Sequence, residues 1–221
     1  MNLLCKIFNR KKIKPLPRKN LDEVKRACRV LFIDDNTFKM VNKLKKEDGW
    51  QNTTHIRDVD SINQPELRDA HVVFVDIQGV GKKLGFKDEG LGLIVAIRRH
   101  YPHKKIIMYS AESKEKIDAF HKAADLVDAR LRKMSDRYEY ESTLERLAMD
   151  AFCLENCILN IKRELYNNYA ISMNEHEIEV NLMKLNTEDS ISTDRIKNVF
   201  NIQDAAAICD IIKFFFEINQ G

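Results

Sequence analysis

Between Arg29 and Asp136, short apolar runs alternate with stretches of helical period; beyond Asp136 only the helical period continues. The runs "RVLFI" (29–33), "TTHIRDV" (53–59), "HVVFVD" (71–76), "KKIIMYS" (104–110) and "LVDARL" (126–131) predict five strands, because they are short, apolar or β-branched, and bounded by polar residues. Between them "NTFKMVNKLKKE", "NQPELRDA", "DEGLGLIVAIRRH" and "SKEKIDAFHKAA" predict helices, the first with Phe38, Val41 and Leu44 at helical spacing. Strands separated by helices imply an α/β fold, a five-stranded parallel doubly wound sheet covered on both faces by right-handed crossovers. In such a sheet ligands gather at the C-terminal strand ends.

Past Asp136 the residues Tyr140, Leu144, Leu147, Ala151, Leu154, Ile158, Ile161 and Leu165 form an apolar seam of heptad type, which predicts one long helix. The seam fits either a parallel coil between two copies over residues 140–165 or one helix of a bundle closed by "EIEVNLMKL", "TDRIKNVF" and "DAAAICDIIKFFFEI". The last segment carries Ile208, Ile211, Ile212, Phe214, Phe215 and Phe216, which need burial, so an all-α bundle is favoured, with the long helix also able to support a homodimer. The expected organisation is a basic extension over 1–28, the α/β domain over 29–136, and the long helix and helical region over 137–221.

Charge sharpens that division. Residues 1–30 carry ten Lys/Arg against two acids, and residues 137–221 carry eight against fifteen. An acidic C-terminal third argues against DNA binding, which needs clustered Lys/Arg to neutralise phosphates. The basic N-terminus reads as a solvated tail, with at most a weak membrane contact. No apolar run reaches the roughly 20 residues that cross a bilayer, and no signal peptide is apparent, so a cytoplasmic location is expected. The five cysteines lack metal-ligand spacing and read as buried apolar residues, Cys153 and Cys157 within the helical pattern.

The chemistry lies at the strand ends. Strand one ends on Asp34 and Asp35, strand three on Asp76, strand four on Ser110, and strand five reaches Lys133; in a parallel sheet these ends share one edge. Each close carboxylate pair would repel by roughly 4 kcal/mol at the effective dielectric of a protein surface. A divalent cation removes that objection, and Mg²⁺, with its preference for hard oxygens, suits phosphoryl chemistry at such a site. Asp76, central in the sheet, is the best-placed nucleophile.

The blocks "VLFIDDN", "VVFVDI", "IIMYSA" and "DARLRK", in this order and at these separations, resemble the signature of response-regulator receiver domains (CheY-like, flavodoxin-like fold) over about residues 29–150. The resemblance implies that Asp35, assisted by Asp34, holds Mg²⁺, and that Asp76 accepts the phosphoryl group and also ligates the metal. It further implies that the backbone carbonyl of Gln78 completes the ligands, that Ser110 hydrogen-bonds a phosphoryl oxygen, and that Lys133 pairs with the phosphoryl or with Asp76. The implied donor is a phosphohistidine on a sensor histidine kinase or phosphotransfer protein. The implied activity is at most self-phosphorylation and slow autodephosphorylation, not metabolic catalysis.

Two positions depart from the family pattern. Receivers carry an aromatic residue three positions before the lysine and a proline after it, where this chain has Arg130 and Met134. Both favour an alternative, a phosphorylation-independent pseudo-receiver acting as a constitutive interaction module. A rival alignment places Arg130 itself at the lysine position. Lys133 is preferred because it keeps the apolar positions of strand five in step. "IQGVGKKLGFKDEG" is longer and more basic than the usual loop, and its lysines are placed to steer a phosphodonor. The bland readings are helix caps, Asp35 or Asn36 before "TFKMVNKL" and Ser110 before "SKEKIDAF"; capping accounts for one acid and not two. His176 and the other histidines lack ligand spacing.

Overall fold

Five strands, β1 (Val30–Ile33), β2 (Thr53–Ile56), β3 (Val72–Asp76), β4 (Lys105–Ser110) and β5 (Ala129–Arg132), pair in parallel in the order β2-β1-β3-β4-β5. This is the flavodoxin-like order, in which the chain reverses its direction of travel between β1 and β3. The expected five-stranded parallel sheet is present. The structure, a computed structural model, describes residues 15–111, 122–186 and 191–216. Two compact units are resolved, residues 19–156, which hold the sheet, and residues 157–216 with 15–18, which are helical.

Alternation along the strands builds two cores. Leu31, Ile33, Val73, Val75, Ile106 and Met108 face helices α3 (Pro65–Asp69) and α4 (Glu89–His100), packing with Leu67, Leu93, Ile94 and Ile97. The intervening residues Phe32, Phe74 and Tyr109 face the other way and form an aromatic cluster with Phe38 and Tyr140. Phe38 precedes α2 (Lys39–Lys46), and Tyr140 lies on α5 (Arg137–Ala151). The helix expected over 113–124 falls largely outside the described residues; its end, Lys122–Leu126, is a 3-10 turn.

Helix α1 (Leu21–Ala27), inside the segment read as an extension, is an addition to the expected plan. A capping box starts it, Asn20 accepting from the Glu23 N–H at 2.9 Å while Glu23 accepts from the Asn20 N–H at 2.8 Å. Lys25 then reaches Glu145 at 2.7 Å and Glu141 at 3.4 Å on α5.

The single long helix is corrected to two. Helix α5 ends at Ala151 and α6 (Leu154–Tyr169) begins after a break at Phe152 and Cys153. Phe152 turns its ring inward, 4.8 Å from the ring of His71, with the Lys19 ammonium 4.6 Å above it. Cys153 caps the new helix, its Sγ accepting from the Asn156 N–H at 3.3 Å. Tyr140, Leu144, Leu147 and Ala151 are buried, and α5 packs on β3, β4 and β5. That half of the seam therefore serves the sheet, and the boundary expected after Asp136 falls after Asn156.

The helical unit contains most of α6, then α7 (Glu175–Leu185), α8 (Thr193–Phe200) and α9 (Ala206–Phe216). Asn174 and Glu177 form a capping box on α7, Ser192 caps α8, and Asn201, left-handed at φ 55°, ends it. Its core includes Ile178, Leu182, Ile196, Phe200, Ile208, Ile212 and Phe215.

Candidate functional site

Strand register brings the site together. Ile33 pairs with Val75 and Asp76 with Tyr109, while Tyr109 pairs with Leu131. One residue past β1, Asp34 is therefore level with Asp76 and Tyr109, and two residues past Leu131, Lys133 has the same parity. All four project on the aromatic side of the sheet. Ser110, of opposite parity, is buried at the end of β4, where its carbonyl accepts the Lys133 N–H at 2.8 Å.

At this edge the Lys133 ammonium lies 2.5 Å from Asp76 Oδ2, 3.0 Å from Asp34 Oδ2 and 3.3 Å from Asp34 Oδ1. Asp34 and Asp76 are buried; Asp35 is exposed. One carboxylate oxygen from each of the three lies within 4.8 Å of the others. Burial pushes the Asp76 carboxyl above its ordinary range against the pull of Lys133, with the Asp34 charge adding to the rise. Burial alone would lower Lys133, but its hydrogen bonds to Asp76 and Asp34 outweigh that and raise it. The site thus holds three carboxylates against one ammonium.

The surrounding backbone is fitted to these acids. Asn36 donates its N–H to Asp34 Oδ1 at 3.0 Å and its side-chain amide to Asp35 Oδ1 at 2.6 Å. His55 Nε2 is 2.8 Å from the Asp34 carbonyl and 3.1 Å from that of Asn36, buttressing the turn. Neither Asp35 nor Asn36 caps α2, whose N-cap is Phe38 without a side-chain bond, so the capping reading is set aside. Gly79 sits at φ 81° against Asp35, where a Cβ would overlap the carboxylate. Gly90 lets α4 approach so closely that a Cβ would collide with the Asp76 carbonyl. Gln78 donates its N–H to Asp76 Oδ1 at 3.4 Å, which places it at the rim.

The loop between β3 and α4 is anchored from both ends. Asp58 accepts the N–H groups of Gly81 at 2.5 Å and Lys83 at 3.1 Å, and Glu89 accepts that of Gly79. Two of its lysines are engaged, Lys83 with Asp60 at 2.7 Å and Lys82 with Glu89 at 3.3 Å. On β5, the Arg130 guanidinium donates to the Ala124 carbonyl at 2.5 Å, while Met134 is 88% exposed. His176 is exposed at the start of α7.

Two residues of this site were not singled out by the sequence patterns. His55 lies on a weak strand with no motif around it. Tyr109 reads as one apolar position of "IIMYS", yet its hydroxyl donates to Asp34 Oδ2 at 2.9 Å. Clustered hard oxygen donors of this kind, with Asp35 open to solvent and room kept by Gly79, fit a small divalent cation.

No protein-family model and no curated protein sequence matches the chain. Among solved structures, it is similar to a response regulator from Thermotoga maritima, at 21% identity over 55% of this chain and 98% of that one, TM-score 0.42. A CheY-like response regulator receiver domain protein from Methanospirillum hungatei JF-1 aligns at 15% identity over 56% of this chain and 95% of that one, TM-score 0.44. RcsB from Salmonella enterica serovar Typhimurium, bound to a promoter in the presence of the phosphomimetic BeF3⁻, aligns at 20% identity over 87% and 90%, TM-score 0.43. By its own strand order and the residues at its strand ends, the sheet unit has the fold of a response-regulator receiver domain.

Proposed function

We propose that this chain is a two-component response regulator whose sheet unit is phosphorylated on Asp76 in a Mg²⁺-dependent reaction. The donor is a phosphohistidine of a sensor histidine kinase or phosphotransfer protein. The observation that carries the reading is the Lys133 ammonium shared by Asp76 at 2.5 Å and Asp34 at 3.0 Å, with Asp35 beside them. In the transfer an Asp76 oxygen forms a bond to phosphorus as the phosphorus–nitrogen bond breaks, and the imidazole nitrogen keeps the electron pair. Lys133 offsets the negative charge that gathers on the phosphoryl oxygens, and Ser110 donates a hydrogen bond to one of them. Asp35 and Asp76, with Asp34 and the Gln78 carbonyl in support, would hold Mg²⁺, which supplies further positive charge to the same oxygens.

Signalling then runs through protein contacts and not DNA, in a cytoplasmic setting. The support is the eight Lys/Arg against fifteen acids over 137–221. A homodimer along residues 140–165 is disfavoured, because Tyr140, Leu144, Leu147, Ile161 and Leu165 are buried within the chain.

Incubation with Mg²⁺ and acetyl phosphate, followed by intact mass measurement, should give one phosphoryl adduct that Asp76→Ala abolishes. No adduct, or an adduct that survives the substitution, sinks the reading. A second reading, the phosphorylation-independent interaction module, is favoured by Arg130, whose bond to the Ala124 carbonyl ties down the position where receivers carry a mobile aromatic ring. It requires that partner binding be unchanged by Asp76→Ala and by beryllofluoride.

A further inference from the structure

Asp34 has both oxygens engaged by this chain's own donors. Oδ1 accepts from the Asn36 N–H and Oδ2 from the Tyr109 hydroxyl at 2.9 Å, with the Lys133 ammonium bridging to both. Tyr109 is fully buried, and four aromatic rings surround its own. Phe38 stacks on it at 5.4 Å, Phe32 and Phe74 meet it edge-on at 6.0 and 6.2 Å, and Tyr140 of α5 meets it edge-on at 6.4 Å. The Lys133 ammonium is 5.6 Å from the ring centroid. Tyr140 in turn donates its hydroxyl to the Arg132 carbonyl at 3.0 Å, one residue before Lys133. Asp34, Tyr109, Tyr140 and the Arg132–Lys133 backbone therefore form a closed circuit between the acidic edge and α5.

Resting on the reading of the acidic edge as a cation and phosphoryl site, we propose that Tyr109 is a positioning residue whose hydroxyl fixes the Asp34 carboxylate and passes occupancy of the site to Tyr140 on α5. Two packing features support it. A ring packed at the density of a protein interior cannot shift without displacing its neighbours, and Tyr140 is one of them. The strand-five alternative is closed, because Arg130 is bonded to the Ala124 carbonyl.

The test uses the full chain carrying ¹³Cζ-labelled tyrosine, whose Tyr109 resonance is assigned by its loss in Tyr109→Phe. Mg²⁺ titration of the wild type should move the Tyr109 and Tyr140 resonances with one common midpoint. Tyr109→Phe keeps the ring and removes the donor; it should weaken Mg²⁺ about tenfold, the usual cost of losing a group that orients a ligand. At saturating Mg²⁺ it should also abolish the Tyr140 shift. A Tyr140 shift that persists at saturation in Tyr109→Phe overturns the proposal. So does a wild-type Tyr109 resonance that stays still while Mg²⁺ raises the melting temperature, an outcome that needs no variant. Absence of any Mg²⁺ effect on the wild type, by resonance or by melting, overturns the cation site itself and this inference with it.

Discussion

Among the described residues of the sheet unit nine polar or charged residues are buried, Asp34, Asp48, Asp76, Lys104 and Lys105 among them, whereas over residues 157–216 the described buried polar residues are Asn160 and Asn181. The two regions also bond differently. In the helical unit the side-chain bonds include many local ones, Asn174 with Glu177, Ser192 with Arg195 and Glu164 with Asn168. In the sheet unit, beside local ones, many join residues far apart in sequence: Lys133 to Asp34, Arg137 to Asp48, and the Lys104 ammonium to the carbonyls of Arg68 at 2.7 Å and Ala70 at 2.5 Å. Most of these buried charges are balanced locally. Asp48 has Arg137, Lys105 has Asp150, and Lys104 has two carbonyls. Among the described residues, only at the strand ends do two buried carboxylates share one ammonium, and an uncompensated buried charge is held for a ligand more readily than for stability. The contrast separates a unit built around a charged site from one built on apolar packing.

The strongest way to break that contrast is to remove its one cation. Lys133→Met leaves Asp34 and Asp76 facing each other without a counter-charge and should cost the sheet unit about 3 kcal/mol, read as a lowered urea midpoint at neutral pH. Added Mg²⁺ should recover part of the loss, since a ligand bound only by the folded state stabilises it by mass action. A loss below about 1 kcal/mol would mean that the carboxylates are solvated, and the contrast would fall. In the helical unit Ile212→Ala should cost a similar amount, about 3 kcal/mol, through the cavity it leaves. The Mg²⁺-induced rise in sheet-unit melting should survive it unchanged.

Acid should act on the sheet unit as well. Burial, aided by the charge of Lys104, holds His103 down to about 3 from its ordinary 6.5. A folded value below the unfolded one gives stability that is complete above 6.5 and is lost as pH falls toward 3, because the unfolded chain takes up the proton first. Between pH 7.5 and 5 this removes about 2 kcal/mol. His103→Gln should flatten that slope of melting temperature against pH; an equally steep slope in the variant would assign the loss to other groups.

What could be read from the sequence divides along the same line. Strands β1, β3 and β4 were legible because each is a run of apolar residues buried on both faces, and Asp34, Asp35, Asp76 and Lys133 because strand ends in a parallel sheet must share an edge. The break at Phe152 was not, since the seam runs through it without a change of step and the ring turns inward toward His71 and Lys19, far away in sequence. Helix α1 carried its signal openly in "NLDE", a capping box masked by the basic composition around it. Tyr109 and His55 depend on contacts with residues 75 and 21 positions away, which no local pattern encodes.

The smallest expected effect tests the quiet side of the site. Arg130 is partly exposed and its guanidinium donates to a backbone carbonyl, so Arg130→Ala should cost the sheet unit only about 1 kcal/mol. Amide hydrogen exchange should quicken over Lys122–Leu126, the turn that the guanidinium ties to β5. Phosphoryl adduct formation on Asp76 and the Mg²⁺ response of Tyr140 should both persist, since neither the acidic edge nor the Tyr109 circuit passes through position 130. If the substitution silences the Tyr140 response while the adduct still forms, occupancy is communicated through β5, and the distinction between its tied-down strand and the aromatic side of the sheet disappears.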